Sequence, residues 1–243
     1  CPISEWKGNE MSVQTIAVVG AMEQEIELLR ESMADVKHVS FGKFSAYEGE
    51  LAGKRMVLVL SGIGKVNAAV STSWVIHQFA PDCVINTGSA GGLGKDLKVG
   101  DVVIGETVAH HDVDVTAFGY VWGQVPQLPA VFASDENLIR QAEKAAQVFE
   151  GAAVTQGLIV SGDRFVHSSE GVAEIRSHFP EVKAVEMEAA AIAQTCHQLE
   201  VPFVIIRAVS DSADEKADIS FEEFLKTAAV SSAKMVTEIV KSL

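Results

Sequence analysis

Thr15-Ile16-Ala17-Val18-Val19-Gly20 decides how the rest of the chain is read. The run is apolar without alternation and ends on a glycine, which predicts a short buried strand closing in a turn. Glu23 to Met33 follows and predicts a helix, with acidic side chains in the first turn where the backbone dipole favours them. A strand hidden on both faces and leading into a helix is the building unit of an α/β sheet.

Outward from there the alternation continues. Val36–Phe41, Ala46–Leu51 and Arg55–Leu60 predict strands, punctuated by Gly42, Gly49 and Gly53. Ser61-Gly62-Ile63-Gly64-Lys65 turns into a helix from about Val66 to Phe79. Cys83–Asn86 predicts a strand, followed by Thr87-Gly88-Ser89-Ala90-Gly91-Gly92, whose glycines suit a close ligand approach or a tight structural turn. Val102 to Val115 reads as a strand and Phe118 to Pro129 as a long loop of Gly, Pro and aromatics. Ser134 is placed to cap a helix over Asp135–Phe149. Val154–Val160 predicts a strand ending in Ser161-Gly162-Asp163, and Glu170–Ser177 a helix. Phe203–Val209 is the last strand, and Ser220 caps a final helix to about Val240. With no internal repeat, low-complexity linker or break in composition, the reading is one α/β domain over residues 11–243, its sheet covered on both faces.

Val185-Glu186-Met187-Glu188-Ala189-Ala190-Ala191-Ile192 reads as the opening of a buried helix, apolar almost all round from Ala189 to Cys196. Residues two apart on a helix point to different sides, so Glu186 and Glu188 are not expected to face one ligand. Glu188 shares its face with Ile192 and Leu199 and is aimed inward, where a sugar diol donating two hydrogen bonds would satisfy it. Glu186 is read as a first-turn carboxylate complementing the helix dipole.

Composition bounds the partners. A net charge of -14 argues against nucleic acid or an anionic membrane, both of which need a basic surface. No apolar run reaches the roughly 18 residues of a membrane span. Cys1, Cys83 and Cys196 have neither a disulfide framework nor metal-ligand spacing, which suits reduced thiols in a cytoplasmic protein. Residues 1–10 are polar and patternless, and Met11 has the look of a native start, so they read as a tag or extension, although a mature lipoprotein would also begin with Cys.

In open α/β sheets ligands bind beyond the carboxyl ends of the strands, and there the polar residues gather. Gly62-Ile63-Gly64-Lys65 lacks the Walker spacing, and no GxGxxG is complete. His110-His111-Asp112-Val113-Asp114 has ligand-like residues. On a strand, however, His111 would face away from the other three, so no metal is expected. His77, His178 and His197 read as surface or satisfied helix residues, and Asp214-Glu215-Lys216 as a solvated loop.

Taken together, six ordered blocks resemble the nucleoside phosphorylase/hydrolase superfamily, and within it the 5′-methylthioadenosine/S-adenosylhomocysteine nucleosidases. They are Gly20-Ala21-Met22-Glu23-Gln24-Glu25, Ser61-Gly62-Ile63-Gly64-Lys65-Val66, Asn86-Thr87-Gly88-Ser89-Ala90-Gly91-Gly92, Asp114-Val115-Thr116-Ala117-Phe118-Gly119-Tyr120, Val185-Glu186-Met187-Glu188-Ala189 and Arg207-Ala208-Val209-Ser210-Asp211. The resemblance implies a three-layer α/β/α fold about a central mixed, twisted sheet. It also implies hydrolysis of an adenine–ribose bond without a cofactor. Asp211 then matches the general acid that protonates adenine N7, and Glu25 the base that activates water, with Ser89 and Arg207 positioning that water. Glu188 matches the acceptor for the ribose hydroxyls and Met187 an apolar contact under the sugar. Phe165 matches the ring stacked on adenine, and Val166 supplies backbone groups for the purine edge. Ser210 accompanies Asp211 in its block. Met22, Ile63 and Phe221 are candidates for an alkylthio pocket, completed by Phe118 of a second copy if the family's homodimer holds, with the Phe118–Pro129 loop at the interface. Arg164 stands where the family tends to have a small residue, and Val166 where it tends to have a bulkier aliphatic. Rival readings are a purine nucleoside phosphorylase, a futalosine-type hydrolase and a non-catalytic adenosine-binding protein.

Overall fold

The structure is a computed structural model and describes residues 12–243; residues 1–10, Met11 and the reading of them as an extension lie outside the described part. Ten strands form one mixed sheet. They are β1 (Thr15–Gly20), β2 (Ala34–Phe41), β3 (Phe44–Leu51), β4 (Lys54–Leu60), β5 (Cys83–Gly92), β6 (Val102–His110), β7 (Phe132–Ala133), β8 (Val154–Ser161), β9 (Val182–Glu186) and β10 (Phe203–Asp211). Six α-helices cover them: α1 (Glu23–Ser32), α2 (Lys65–Phe79), α3 (Glu136–Val148), α4 (Ser169–His178), α5 (Ala189–Gln198) and α6 (Ala217–Ser242).

The sheet runs β10-β6-β8-β9-β5-β1-β4-β3-β2, and β10 also pairs in parallel with β5. Strands β5, β10, β6, β8 and β9 therefore close on themselves as a ring, while β2 is a free edge. Burial explains the layers. Ile26 and Leu29 of α1, Leu138 and Ala142 of α3 and the apolar stripe of α6 pack on one face of the sheet. On the other, Ala68, Trp74 and Val75 of α2 meet the all-buried run Ala189–Ala193 of α5. This is the three-layer α/β/α arrangement with a mixed sheet. No described helix is long and apolar enough to cross a membrane.

Several boundaries differ from the sequence reading, each for a local reason. β5 does not stop at Asn86. It continues through Gly92 because β10 pairs along it as far as Gly91 and β9 takes up Gly91 and Gly92, so backbone ladders hold turn-type residues extended. Val185 and Glu186 end strand β9 rather than open a helix, and α5 starts at Ala189. β6 ends at His110, where Asp112 turns away to accept the Asp163 N–H at 2.9 Å and Lys65 Nζ at 2.5 Å. The strand alternation argued for His110–Asp114 therefore does not apply.

Asp135, not Ser134, caps α3 by accepting the Leu138 N–H, while Ser134 Oγ donates to the Gly105 carbonyl. Ser220 lies inside α6 rather than at its cap, and its hydroxyl donates to the Ser210 carbonyl at 2.9 Å. Nor is Asp214–Lys216 simply solvated. The Glu215 carboxylate accepts the Ser169 N–H and Oγ at 2.8 and 2.9 Å, which ties this loop to the start of α4. Cys83 and Cys196 are free and buried, and burial pushes both thiols up to about 12.

Candidate active site

The ends of β1, β4, β5, β8, β9 and β10 open onto one cavity of about 250 Å³. Glu25, Ser89, Met187, Glu188, Arg207 and Asp211 all line it. So do Phe165, Val166, Ser210, Met22, Ile63 and Phe221. Phe118 does not: it belongs to a short 3-10 turn, Thr116–Phe118, and is 82% exposed.

Glu25 sits in the first turn of α1, so the fold aims its carboxylate across the end of the sheet. Its Oε1 accepts the Met22 N–H at 3.0 Å, and its Oε2 accepts Ser89 N–H and Oγ at 2.7 and 3.2 Å. Gly88 makes this approach feasible. Its φ is +152°, and a methyl there would collide with the Glu25 carboxylate and lie 2.8 Å from Arg207 Nη1.

Arg207 is the hub, with 1% of its surface exposed. A guanidinium presents donors in a rigid fork and stays charged, so it can organise several acceptors at once. Nε donates to Asn86 Oδ1 at 3.0 Å and Nη1 to the Ser89 carbonyl at 2.9 Å. Three carboxylates surround it: Glu186 Oε2 at 2.7 Å, Glu188 Oε1 at 3.2 Å and Glu25 Oε2 at 3.9 Å. Burial opposes the Arg207 charge, yet the three carboxylates outweigh it and hold its pKa above the ordinary value.

Glu188 precedes α5, and its Oε2 accepts the Gly64 N–H at 3.0 Å. Burial pushes its carboxyl up to about 7; Arg207 opposes the rise, and Glu186 and Glu25 add to it. Such a carboxylate accepts hydrogen bonds strongly once ionised. Asp211 closes β10. Ala213 N–H donates to its Oδ1 at 2.8 Å and Ser210 Oγ to its Oδ2 at 2.9 Å. Burial raises its pKa against those two donors, which makes a proton available there closer to neutrality. Phe165 is 39% exposed at the cavity mouth and meets Phe221 edge-on, with centroids 5.6 Å apart.

The sequence reading missed Glu186 and Asn86 as members of this site. Asn86 heads the Thr87–Gly92 run, but its partner Arg207 lies 121 residues away in another block, so no local pattern links the two. Arg164 lines the cavity too, beside Phe165. Among the described residues no group of three or more His, Cys, Asp or Glu is arranged to hold a metal. His110 Nε2 instead meets Gln194 Oε1 at 2.8 Å, and His178 stacks on Trp122 with centroids 3.9 Å apart.

Residues 15–241 match the model of a family described as the phosphorylase superfamily. A 5′-methylthioadenosine/S-adenosylhomocysteine nucleosidase of Anoxybacillus flavithermus is 53% identical over 228 residues, 94% of this chain and 98% of that protein. A nucleosidase of the same description from Neisseria meningitidis, crystallised with methylthio-immucillin-A, shares 84% identity at a TM-score of 0.94, covering 95% of this chain and 100% of that one. The futalosine hydrolase of Helicobacter pylori is more distant, at 35% identity and a TM-score of 0.90, with 95% and 99% covered.

Proposed function

We propose a reaction from one premise: the chain belongs to the 5′-methylthioadenosine/S-adenosylhomocysteine nucleosidase family of the phosphorylase superfamily. It is a nucleoside hydrolase, and its substrates on this reading are 5′-methylthioadenosine and S-adenosylhomocysteine, with 5′-deoxyadenosine a further candidate. The products are adenine and the 5-thioribose sugar. The observation that carries the reading is that Asp211 and Glu25 line one cavity, with Glu188 and Phe165 lining it as well.

Glycoside cleavage passes through an oxocarbenium-like state and needs a leaving group that departs neutral. Asp211 gives its proton to adenine N7 as the bond from the base to the anomeric carbon breaks. Water attacks that carbon and loses its proton to Glu25, which Ser89 and Met22 hold in one orientation. Glu188 accepts from the ribose hydroxyls, and its charge, with that of Glu25, stabilises the positive sugar as it develops. Phe165 stacks on the purine, Val166 reads its edge through the backbone, Met187 lies under the sugar, and Met22, Ile63 and Phe221 receive the alkylthio group. Ser210 keeps Asp211 oriented through the bond to Oδ2.

The working unit on this reading is a homodimer in which Phe118 reaches the partner's cavity. Phe118 is exposed without a role in its own subunit, as are Val66 at 74% and Val70 at 42%. Those valines flank a groove of about 800 Å³ between α2 and α5 that a second copy would cover. Reduced, buried thiols support a cytoplasmic setting.

A phosphorylase would need a basic phosphate cradle where the anionic Glu25 stands. A futalosine-type hydrolase would keep the acid and base and differ beyond the ribose. The test is product analysis with 5′-methylthioadenosine, with and without phosphate. Adenine plus free sugar at a rate indifferent to phosphate is expected; a phosphorylated sugar, or no turnover, overturns the reading.

A further inference from the structure

We propose that Glu186 is a positioning residue for the reaction, the counter-ion that holds Arg207 so that Glu188 and Glu25 stay available to the substrate. The inference rests on the nucleosidase reading and deepens it. Glu186 is the last residue of β9 and is buried. Its Oε2 accepts the Glu188 N–H at 2.9 Å and the Ala189 N–H at 2.8 Å, besides lying 2.7 Å from Arg207 Nη2. Its Oε1 accepts the Ser161 hydroxyl, whose oxygen in turn accepts the Ala190 N–H at 2.8 Å. Glu186 borders the cavity as well, but four protein donors already occupy its two oxygens and leave it little capacity to accept from a ligand.

The guanidinium lies closest to the carboxylate that is fully engaged and farther from the two assigned to chemistry. A carboxylate fully neutralised by a close arginine is a weaker acceptor and a weaker base. By taking the short contact, Glu186 leaves Glu188 and Glu25 with only part of Arg207's charge. It also fixes the backbone N–H of Glu188 itself, so one carboxylate sets both the place and the charge of the ribose-gripping group. The charged and polar groups around Glu188 come from four directions: Arg207 on β10, Glu186 on β9, Glu25 on α1 and the Gly64 N–H before α2. Of these, Glu186 and Glu25 raise the Glu188 pKa and Arg207 lowers it.

The test is the pH–rate profile of Glu186→Gln. Removing the charge lets Arg207 close on Glu188, so the Glu188 pKa falls and the acid limb of kcat/KM moves to lower pH. Meanwhile kcat near neutrality drops by roughly 10-fold or more with KM changed by less than about threefold. Ser161→Ala, which loosens Glu186 but keeps its charge, should leave the acid limb where it is. If Glu186→Gln does not fold, Glu186→Asp, with its charge drawn back by one methylene, carries the same expectation in direction. A folded variant with wild-type kcat and an unmoved acid limb overturns the proposal. Absence of turnover in the wild type would instead overturn the nucleosidase reading, so the two failures are separable.

Discussion

The Ser89 N–H donates to Glu25 Oε2 at 2.7 Å across 64 residues of chain, joining the first helix to the strand that runs into the cavity. With Met22 on the other oxygen, the carboxylate is clamped in one rotamer before any ligand arrives. On the proposed mechanism, a base held this way loses little freedom when it takes a proton from water.

Replacing Glu25 by Gln keeps most of that geometry and removes the basicity. Turnover should fall by about 10²–10⁴-fold, the range typical of a lost general base, while binding of a non-hydrolysable nucleoside stays within a few-fold. Steady-state kinetics paired with calorimetric binding decides it, and a near-normal kcat removes Glu25 from the mechanism.

Asp211 links activity to stability with a definite sign. Its folded-state pKa lies above the ordinary carboxyl value because of burial, so the folded form binds the proton more tightly than the unfolded chain does. Stability from this group is therefore full below the ordinary value and is lost as pH rises through the raised one. At neutral pH the wild type carries that penalty and Asp211→Asn does not. The variant should be nearly inactive yet melt no lower than wild type at neutral pH, with its relative advantage shrinking towards pH 4. Melting curves across pH check this, and a variant that is destabilised at neutrality but not in acid contradicts it.

Gly88 should not tolerate alanine. Backbone at φ +152° costs a side-chain-bearing residue about 1–3 kcal/mol, and the added methyl would strike the Glu25 carboxylate. Gly88→Ala should lower kcat by at least about 10-fold along with the melting temperature. Full activity would mean that the Glu25–Arg207 approach is looser than it looks.

Phe118→Ala tests the shared site. On the dimer reading KM for 5′-methylthioadenosine rises by roughly 10-fold or more while kcat changes little, since burying an aromatic against an apolar tail is worth about 1.5–3 kcal/mol. Light scattering reports the mass of the assembly in parallel. An unchanged KM, or a monomer with full activity, removes the partner's Phe118 from the site.

Much of this was legible in the chain. Runs such as Ile16–Val19 and Phe203–Ile206 announce buried strands because nothing polar interrupts them, and the ends of those strands mark the cavity. What local pattern could not reveal is pairing at a distance. Thr87–Gly92 has the composition of a turn and is nevertheless strand, because β10 and β9 supply its hydrogen bonds. Glu186 looks like a dipole-complementing residue, and it does receive the first N–H groups of α5. Its contact with Arg207, however, joins positions 21 apart in sequence that only the folded sheet brings together. The two-residue strand β7 has no periodicity to read at all.

The closed ring of β5, β10, β6, β8 and β9 limits what kinds of change the chain can absorb. An open sheet can gain or shed a strand at its border, whereas the circle admits only a short side pairing, such as that of the two-residue β7 on β6, without breaking two neighbours' pairing. Variation in this half is thereby channelled into the segments that leave the circle, the loops that carry Phe118 and Phe165 and the first turns of α6 that carry Phe221. New specificities can arise there while the charged centre stays unaltered, and wholesale growth of the sheet is left to the far border at β2.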